Sequence, residues 1–152
     1  RLSLIAALDT EGRVYFSLLH ANTDSDIMVL FLSHLFSMLD DETPGWRDDS
    51  VVLLDGAKYH TSEQCAAYLR VSGATVMYSG PYSYATAPIE LLFGSFKMGD
   101  LCDGQRGLGK KHLGDLCLAV HARMNDIPRE RRIRFWHHTS LELYHYLVYR
   151  RL

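Results

Sequence analysis

The chain of 152 residues contains only three cysteines, Cys65, Cys102 and Cys117, and none of them belongs to a CxxC pair. An odd and widely spaced set of this kind favours buried, reduced thiols over a disulfide framework or a zinc site. We therefore expect an intracellular protein, nuclear if its source is eukaryotic.

The sequence also lacks a long hydrophobic run. Its longest apolar stretch, Ile27–Leu39, is interrupted by polar residues and is shorter than the roughly 18 residues that a membrane-spanning helix needs. The first residues, Arg1–Leu4, include no Met and no basic segment ahead of an apolar one. We expect neither a transmembrane helix nor a secretory signal, and we expect the sequence to be an internal piece of a longer protein.

No internal repeat and no low-complexity segment is present. The composition, 47% hydrophobic and 22% charged, is close to the average of globular proteins and argues against disorder, collagen-like repeats and coiled coil. A chain of this length can bury one core but not two independent ones. We predict a single domain over residues 1–152.

The net charge of −2 conceals an uneven distribution. Residues 1–96 carry five basic and twelve acidic side chains, whereas residues 97–152 carry eleven basic and six acidic ones. The basic part includes four neighbouring arginines, Arg129, Arg131, Arg132 and Arg134. It could contact phosphates, and the acidic part could hold cations, although an ordinary solvated helix face explains the arginines equally well.

The first half of the chain predicts a hairpin and a helix. Leu2–Leu8 and Val14–Leu19 are apolar runs on either side of the turn-like Asp9–Gly12, which indicates two antiparallel strands. Apolar residues at three- and four-residue steps predict an amphipathic helix from Ser25 to Leu39. The following segment, Asp40–Ser50, is rich in acids around a Pro-Gly pair and predicts an exposed loop.

A strand, a helix and a second strand follow. Val51–Leu54 is a continuous apolar run of the kind found in strands buried on both faces. Thr61–Gln64 fits a capping box at the start of a helix, and Gly73 ends that helix. Ala74–Tyr78 is the next strand, so this order predicts a right-handed parallel unit.

The last part of the chain is predicted to be helical apart from its connections. After a loop over Ser79–Ala87, Pro88 lies where a helix accepts proline, in the first turn. A glycine-rich stretch, Gly99–Gly109, precedes a helix from about Lys111 to Met124. A second capping box at Thr139–Glu142 predicts the start of the last helix. The whole pattern is that of an α/β protein with mixed strands.

Two acids lie where an open α/β sheet places functional residues. Asp55 directly follows the strand Val51–Leu54, and Glu90 lies in the first turn of the helix that Pro88 opens. If the two parallel strands are neighbours, these carboxylates can approach each other. A cation between them would relieve their repulsion, and oxygen ligands favour Mg²⁺ or Mn²⁺. An acid after a strand is more often a turn or cap residue, and that alternative stays open.

The residues around both acids resemble signature blocks of the mariner-type DDE transposases. Residues 53–60 read LLDGAKYH, residues 80–90 read GPYSYATAPIE, and residues 93–97 read FGSFK. The family blocks read Asp-Asn-Ala-x-x-His, then Pro-x-Ser-Pro-Asp-x-Asn-Pro-Ile-Glu, then an aromatic residue, Gly and Lys. The 34 residues between Asp55 and Glu90 also match the spacing that names one large branch of the family.

This resemblance implies a ribonuclease H-like mixed sheet flanked by helices, and cleavage and joining of DNA strands with Mg²⁺ or Mn²⁺. Asp55 would be the second and Glu90 the third acid of the catalytic triad, both as metal ligands, and His60 would match the histidine after the second acid. For His60, a hydrogen-bonded structural role near the site and a direct role both stay open. Two metal ions held in this way activate an oxygen nucleophile and stabilise the leaving oxygen. The implied partners are DNA and further copies of the chain or a larger assembly.

Some positions depart from the family pattern. Gly56 replaces the Asn after the second acid, and Tyr84–Ala87 replaces the polar Pro-Asp-x-Asn. The first acid of the family lies on a strand upstream of the hairpin, and the only comparable acid here is Asp9, in the hairpin turn. The alternative function is therefore an inactive transposase-derived module with a structural or binding role.

In the fold that the resemblance implies, the first strand is central and lies between the hairpin and the strand that ends at Leu54. Nothing in residues 1–152 occupies that place. Unpaired buried backbone groups cost about 1–3 kcal/mol each. We therefore expect a further segment, from upstream sequence or from a partner chain, to pair between Leu2–Leu8 and Val51–Leu54.

Overall fold

A computed structural model of the chain describes residues 2–80, 87–97 and 113–149, with side chains at all of these except 113 and 140–149. Its elements in chain order are β1 (Ser3–Leu8), β2 (Val14–Leu19), α1 (Ser25–Glu42), α2 (Trp46–Asp49), β3 (Val51–Leu54), α3 (Glu63–Ser72), β4 (Thr75–Tyr78), α4 (Pro88–Lys97), α5 (Leu113–Asp126) and α6 (Arg129–Tyr149). The predictions for Tyr84–Thr86, Gly99–Gly109 and Cys102 lie outside the described residues.

The described residues form two compact units. One consists of those in 1–5 and 15–83, and the other of those in 6–14 and 84–152. No helix in the described ranges is long and apolar enough to cross a membrane. Both cysteines in these ranges, Cys65 and Cys117, are free thiols; the first is buried and the second half-buried.

The predicted hairpin is confirmed. β1 pairs with β2, and the short connection of residues 9–13 can only join antiparallel neighbours. The Asp9 amide donates to the Arg13 carbonyl at 3.1 Å, and the Gly12 amide donates to the Asp9 carbonyl at 3.1 Å. Gly12 has a φ of 78°, a left-handed conformation that a residue without a Cβ adopts without strain.

Helix α1 begins as predicted but ends later than expected. The Asp24 side chain accepts a hydrogen bond from the Ile27 amide at 3.0 Å and caps the first turn. The helix continues to Glu42, and its last acidic side chains are exposed.

The prediction of a loop over Asp40–Ser50 is therefore wrong for residues 40–42 and for the short helix α2. The Asp40 carboxylate accepts hydrogen bonds from the Trp46 indole at 2.8 Å and from the Arg47 guanidinium, which stabilises the turn between α1 and α2. These bonds, above all the one from Arg47, hold the pKa of Asp40 below its usual value. Trp46 is buried against Phe36, with the ring centroids 5.0 Å apart.

The parallel pairing of the predicted strand–helix–strand unit is confirmed. β3 and β4 pair in parallel with Val51 opposite Thr75 and Leu54 opposite Tyr78. Helix α3 connects them, buries Cys65 and packs against α1. Gly73 ends this helix at a φ of 73°.

The capping box at Thr61–Gln64 is a wrong prediction. Ser62 is the N-cap, and its hydroxyl accepts a hydrogen bond from the Cys65 amide at 3.2 Å. The Thr61 hydroxyl instead donates backwards to the Ala57 carbonyl at 3.2 Å. The helix therefore begins one residue later than the capping motif suggests.

The prediction that Val51–Leu54 is buried on both faces is wrong for the described chain. Val51 is 53% exposed, and the other residues of the strand are only half-buried. The continuous apolar run predicts neighbours on every side, but among the described strands β3 pairs with β4, and β1 with β2, in separate sheets. In the described residues β1 does not pair directly with β3. This is compatible with the expectation that a further segment pairs between them, which stays a prediction.

The second unit is mainly helical. Helix α4 begins at Pro88 as predicted, buries Leu92 and Phe96, and packs against α6. Helix α6 begins at Arg129, not at Thr139, because the carbonyl of Pro128 accepts the first helical hydrogen bonds. Thr139 is buried within this helix, and its hydroxyl donates to the Phe135 carbonyl at 3.0 Å.

Candidate functional site

Asp55 lies at the carboxyl end of β3. The Ser79 amide donates to the Leu54 carbonyl at 2.8 Å, so hydrogen bonding between the β4 and β3 segments continues to the last residue of β3. Asp55 then leaves the sheet edge, and its side chain is 58% exposed. Ligands of open α/β sheets bind at this edge.

The loop after Asp55 folds back on its carboxylate. Asp55 Oδ1 accepts a hydrogen bond from the Ala57 amide at 2.9 Å and lies 2.6 Å from Nδ1 of His60. The His60 amide donates to the Ala57 carbonyl at 3.0 Å, which closes a turn between the two donors. Since an ionised carboxylate only accepts hydrogen bonds, Nδ1 is the protonated nitrogen of the imidazole in this arrangement.

The His60 ring is itself held in place. Its side chain is only 12% exposed, and the Tyr59 ring meets it edge-on with 4.6 Å between the centroids. The Tyr78 hydroxyl, at the end of β4, donates to the His60 carbonyl at 3.3 Å. The loop is thus attached to the neighbouring strand, and Asp55, His60 and Tyr78 form one local group.

Tyr59 is affected by the same carboxylate. Burial raises the pKa of Tyr59, and the negative charge of Asp55 raises it further. At neutral pH the phenol therefore remains protonated and uncharged.

Oxygen Oδ2 of Asp55 is the oxygen of this carboxylate that could bind a metal ion. Both hydrogen bonds to the carboxylate involve Oδ1, and no residue in the described ranges donates to Oδ2. An exposed carboxylate oxygen is a ligand that Mg²⁺ and Mn²⁺ accept, so the donor chemistry fits the expected metal. Within the described residues, no three or more His, Cys, Asp or Glu side chains form a group that could hold a metal ion.

Glu90 lies in the first turn of α4 and is exposed, and its amide donates to the Ala87 carbonyl at 3.0 Å. Asp55 belongs to the first compact unit and Glu90 to the second. Their approach at a shared metal site stays a prediction.

Asp9 does not have the geometry of a metal ligand. Its Oδ1 accepts from the Arg13 amide at 2.7 Å, and its Oδ2 accepts from Nε of Arg13 at 2.5 Å. Both oxygens are therefore used inside the hairpin turn. This bonding argues against Asp9 as a substitute for a first catalytic acid.

Tyr78 is the residue of this site that the sequence analysis missed. The signal was available, because the parallel register places the last residue of β4 beside the last residue of β3. An aromatic hydroxyl at that position can reach the loop that follows β3.

Several solved structures share the fold, and three of them serve as examples. The catalytic domain of Mos1 mariner transposase matches with a TM-score of 0.70 at 19% identity, over 88% of this chain and 66% of that one. The same catalytic domain with raltegravir and Mn matches with a TM-score of 0.71 at 19% identity, over 88% and 68%. The Mos1 paired-end complex with the left transposon end matches with a TM-score of 0.57 at 20% identity, over 86% and 42%.

The likeness confirms the prediction of a ribonuclease H-like α/β fold. The chain spans about two thirds of the Mos1 catalytic domain and less than half of the Mos1 chain in the paired-end complex. No curated protein matches it. The family described as DDE superfamily endonuclease matches residues 1–99, a segment that contains both Asp55 and Glu90. By this match the chain belongs to the DDE superfamily endonucleases, as its sequence motifs predicted.

Proposed function

We propose that this chain is part of the catalytic domain of a mariner-type transposase, or of a domesticated descendant, which cleaves and joins DNA strands with Mg²⁺ or Mn²⁺. The observation that carries the proposal is the carboxylate of Asp55 at the carboxyl end of β3, with Oδ1 held by its own loop and a side chain that is 58% exposed. The Mos1 structures add support, since one contains Mn and another contains a transposon end.

In this function Asp55 and Glu90 hold the divalent ions. The ions would supply an activated oxygen nucleophile and stabilise the charge that develops on the scissile phosphate. The chain's own contribution is to present the carboxylates in a fixed orientation. Ala57 and His60 do this for Asp55, because both donate to its Oδ1 and restrict rotation of the side chain.

The test is strand cleavage of DNA that carries transposon ends, by the full-length protein with Mg²⁺ or Mn²⁺. We expect Asp55→Asn and Glu90→Gln each to reduce the cleavage rate by orders of magnitude, because each removes a metal ligand. Asp26→Asn is the matched control, since Asp26 is also an exposed acid in the first turn of a helix. Circular dichroism and thermal unfolding verify that the variants fold. Equal rates for Asp55→Asn and the parent would refute the assignment.

The second candidate function is an inactive module that binds DNA or a protein assembly. Gly56 and Tyr84–Ala87 favour it, because they replace polar residues of the family pattern. Under this alternative the full-length parent cleaves no DNA with either metal, while binding to DNA persists and does not change in Asp55→Asn.

We also propose that the start of α6 contacts the DNA backbone. Arg131 and Arg134 are exposed and lie one helical turn apart, whereas Arg129 is paired with Glu11 at 3.3 Å. Exposed arginines on one face suit phosphates and release counterions on binding. Replacing either by Ala should lower the affinity for any DNA sequence. It should also reduce, by about 1, the slope of the logarithm of the DNA-binding constant against the logarithm of the salt concentration. Arg70→Ala, at an exposed arginine of α3, is the control that should leave both unchanged.

A further inference from the structure

We infer that His60 is a positioning residue that holds Oδ1 of the Asp55 carboxylate and leaves Oδ2 available to a metal ion. The inference rests on the proposed function, because it assigns Asp55 as a metal ligand. It gives His60 a role that acts through Asp55, because the imidazole holds Oδ1 of that carboxylate.

The first step is the bonding of the carboxylate. Two donors, the Ala57 amide at 2.9 Å and Nδ1 of His60 at 2.6 Å, meet on the same oxygen of Asp55. A hydrogen bond to an ionised carboxylate is shorter and stronger than one between neutral groups, and the contact of Nδ1 with Oδ1 is short for a nitrogen donor. Rotation of the Asp55 side chain would break both bonds, so Oδ1 is fixed and Oδ2 keeps one direction.

The second step is the exposure of the carboxylate. The Asp55 side chain is 58% exposed, and its packing alone would leave it several rotamers. The Ala57 amide alone is the ordinary bond of an Asp at the start of a turn and restrains only one side of the carboxylate. His60 adds the restraint from a ring that is 12% exposed and therefore has little freedom of its own.

The third step is the support of the imidazole. The Tyr59 ring lies edge-on against it, and the His60 carbonyl accepts a hydrogen bond from Tyr78 on the neighbouring strand. The position of the ring is thus set by the sheet, and the ring in turn sets the carboxylate. Residues that orient metal ligands in this way typically change metal affinity about 10–100-fold when they are replaced.

The experiment compares His60→Ala, His60→Asn and the parent in the full-length protein. Asn can donate from a position close to that of Nδ1, whereas Ala cannot. Mn²⁺ binding is measured without DNA, from the electron paramagnetic resonance signal of free Mn²⁺, and DNA cleavage is measured against metal concentration. His34→Ala, at an exposed histidine of α1, is the matched control.

We expect His60→Ala to raise the Kd for Mn²⁺ about 10–100-fold and to recover most cleavage at high metal concentration. His60→Asn should restore much of the affinity. The His34 variant should bind Mn²⁺ like the parent, and Asp55→Asn should lose the site.

Three results would overturn the inference. One is a His60→Ala protein with lowered thermal stability but an unchanged Kd, which indicates a structural role only. Another is nitrogen hyperfine coupling to bound Mn²⁺ that disappears in His60→Asn, which indicates that His60 is itself a ligand. The third is a parent that binds no Mn²⁺ at millimolar concentration. A parent that binds Mn²⁺ with the expected ranking of variants but cleaves no DNA supports the inference and refutes the nuclease function.

Discussion

Replacing Gly12 by Ala tests how the hairpin turn meets helix α6. The φ of 78° places Gly12 in the left-handed region, which costs an alanine about 1–2 kcal/mol. A Cβ at this position would also lie 2.9 Å from the Arg129 carbonyl oxygen and 3.0 Å from Cγ1 of Ile133. A backbone atom cannot move aside as a side chain can. This steric clash therefore lowers the free energy of unfolding by a further ~1–3 kcal/mol.

Gly45 provides the matched control. Its φ of 83° imposes the same left-handed conformation, but a Cβ at this position would have no atom within 4 Å. Gly45→Ala should therefore show only the conformational cost. In urea or thermal unfolding, Gly12→Ala should be less stable than Gly45→Ala by about 1–3 kcal/mol, which corresponds to a difference in Tm of roughly 2–12 °C at this chain length.

A double mutant separates the two contributions further. Ile133→Ala removes one of the two close atoms, so Gly12→Ala combined with Ile133→Ala should be more stable than the sum of the single losses predicts. Equal destabilisation by Gly12→Ala and Gly45→Ala, together with strict additivity in the double mutant, would refute the close approach of the turn to α6.

Three other predictions concern α3, Tyr59 and β3. Ser62→Ala should lower stability by about 1 kcal/mol in urea unfolding, because it removes the N-cap of α3, whereas Thr61→Ala should cost less. The raised pKa of Tyr59 means that the folded state holds the phenolic proton more tightly than the unfolded state does. The resulting contribution to the free energy of unfolding is fully present below pH 10, the ordinary pKa of tyrosine, and is lost as the pH rises through the folded-state pKa. Tyr59→Phe should therefore flatten the alkaline limb of the plot of stability against pH. In hydrogen exchange, the amides of β3 that point away from β4 should exchange fast in residues 1–152 and slowly in the full-length protein or its assembly, if a further strand pairs there.

The elements that the sequence predicted well have strong local signals. The hairpin has two apolar strands around a turn with Gly12, and helix α4 has Pro88 in its first turn. The parallel pair β3 and β4 follows from the order strand, helix, strand. Each of these patterns needs no knowledge of distant residues.

Both capping-box predictions failed for a common reason. A Thr followed three residues later by Gln or Glu matches the motif, but the hydroxyl has other acceptors nearby. Thr61 donates to the Ala57 carbonyl, and Thr139 donates to the Phe135 carbonyl four residues earlier in α6. The sequence pattern does not distinguish a capping threonine from one that bonds backwards.

The acidic segment after α1 shows a different limit. The sequence predicts a loop at Asp40 because acids and a Pro-Gly pair follow it, and composition gives no sign of its hydrogen bonds to Trp46 and Arg47. Those bonds depend on the burial of Trp46 against Phe36, which is a contact between two elements. Tertiary packing therefore decided the end of this helix.

The same distinction applies to the candidate site. Asp55, Ala57 and His60 lie within six residues, and their hydrogen bonds form inside one loop, so a short motif carries the complete geometry of this carboxylate. Along the chain, α3, β4 and the connection to α4 separate Glu90 from this loop. The sequence motif around Glu90 indicates only that the residue lies in the first turn of a helix. The local structure consequently supports the proposed role of Asp55, through the hydrogen bonds that hold one of its oxygens. Cooperation with Glu90 stays a prediction, because Asp55 and Glu90 belong to different compact units.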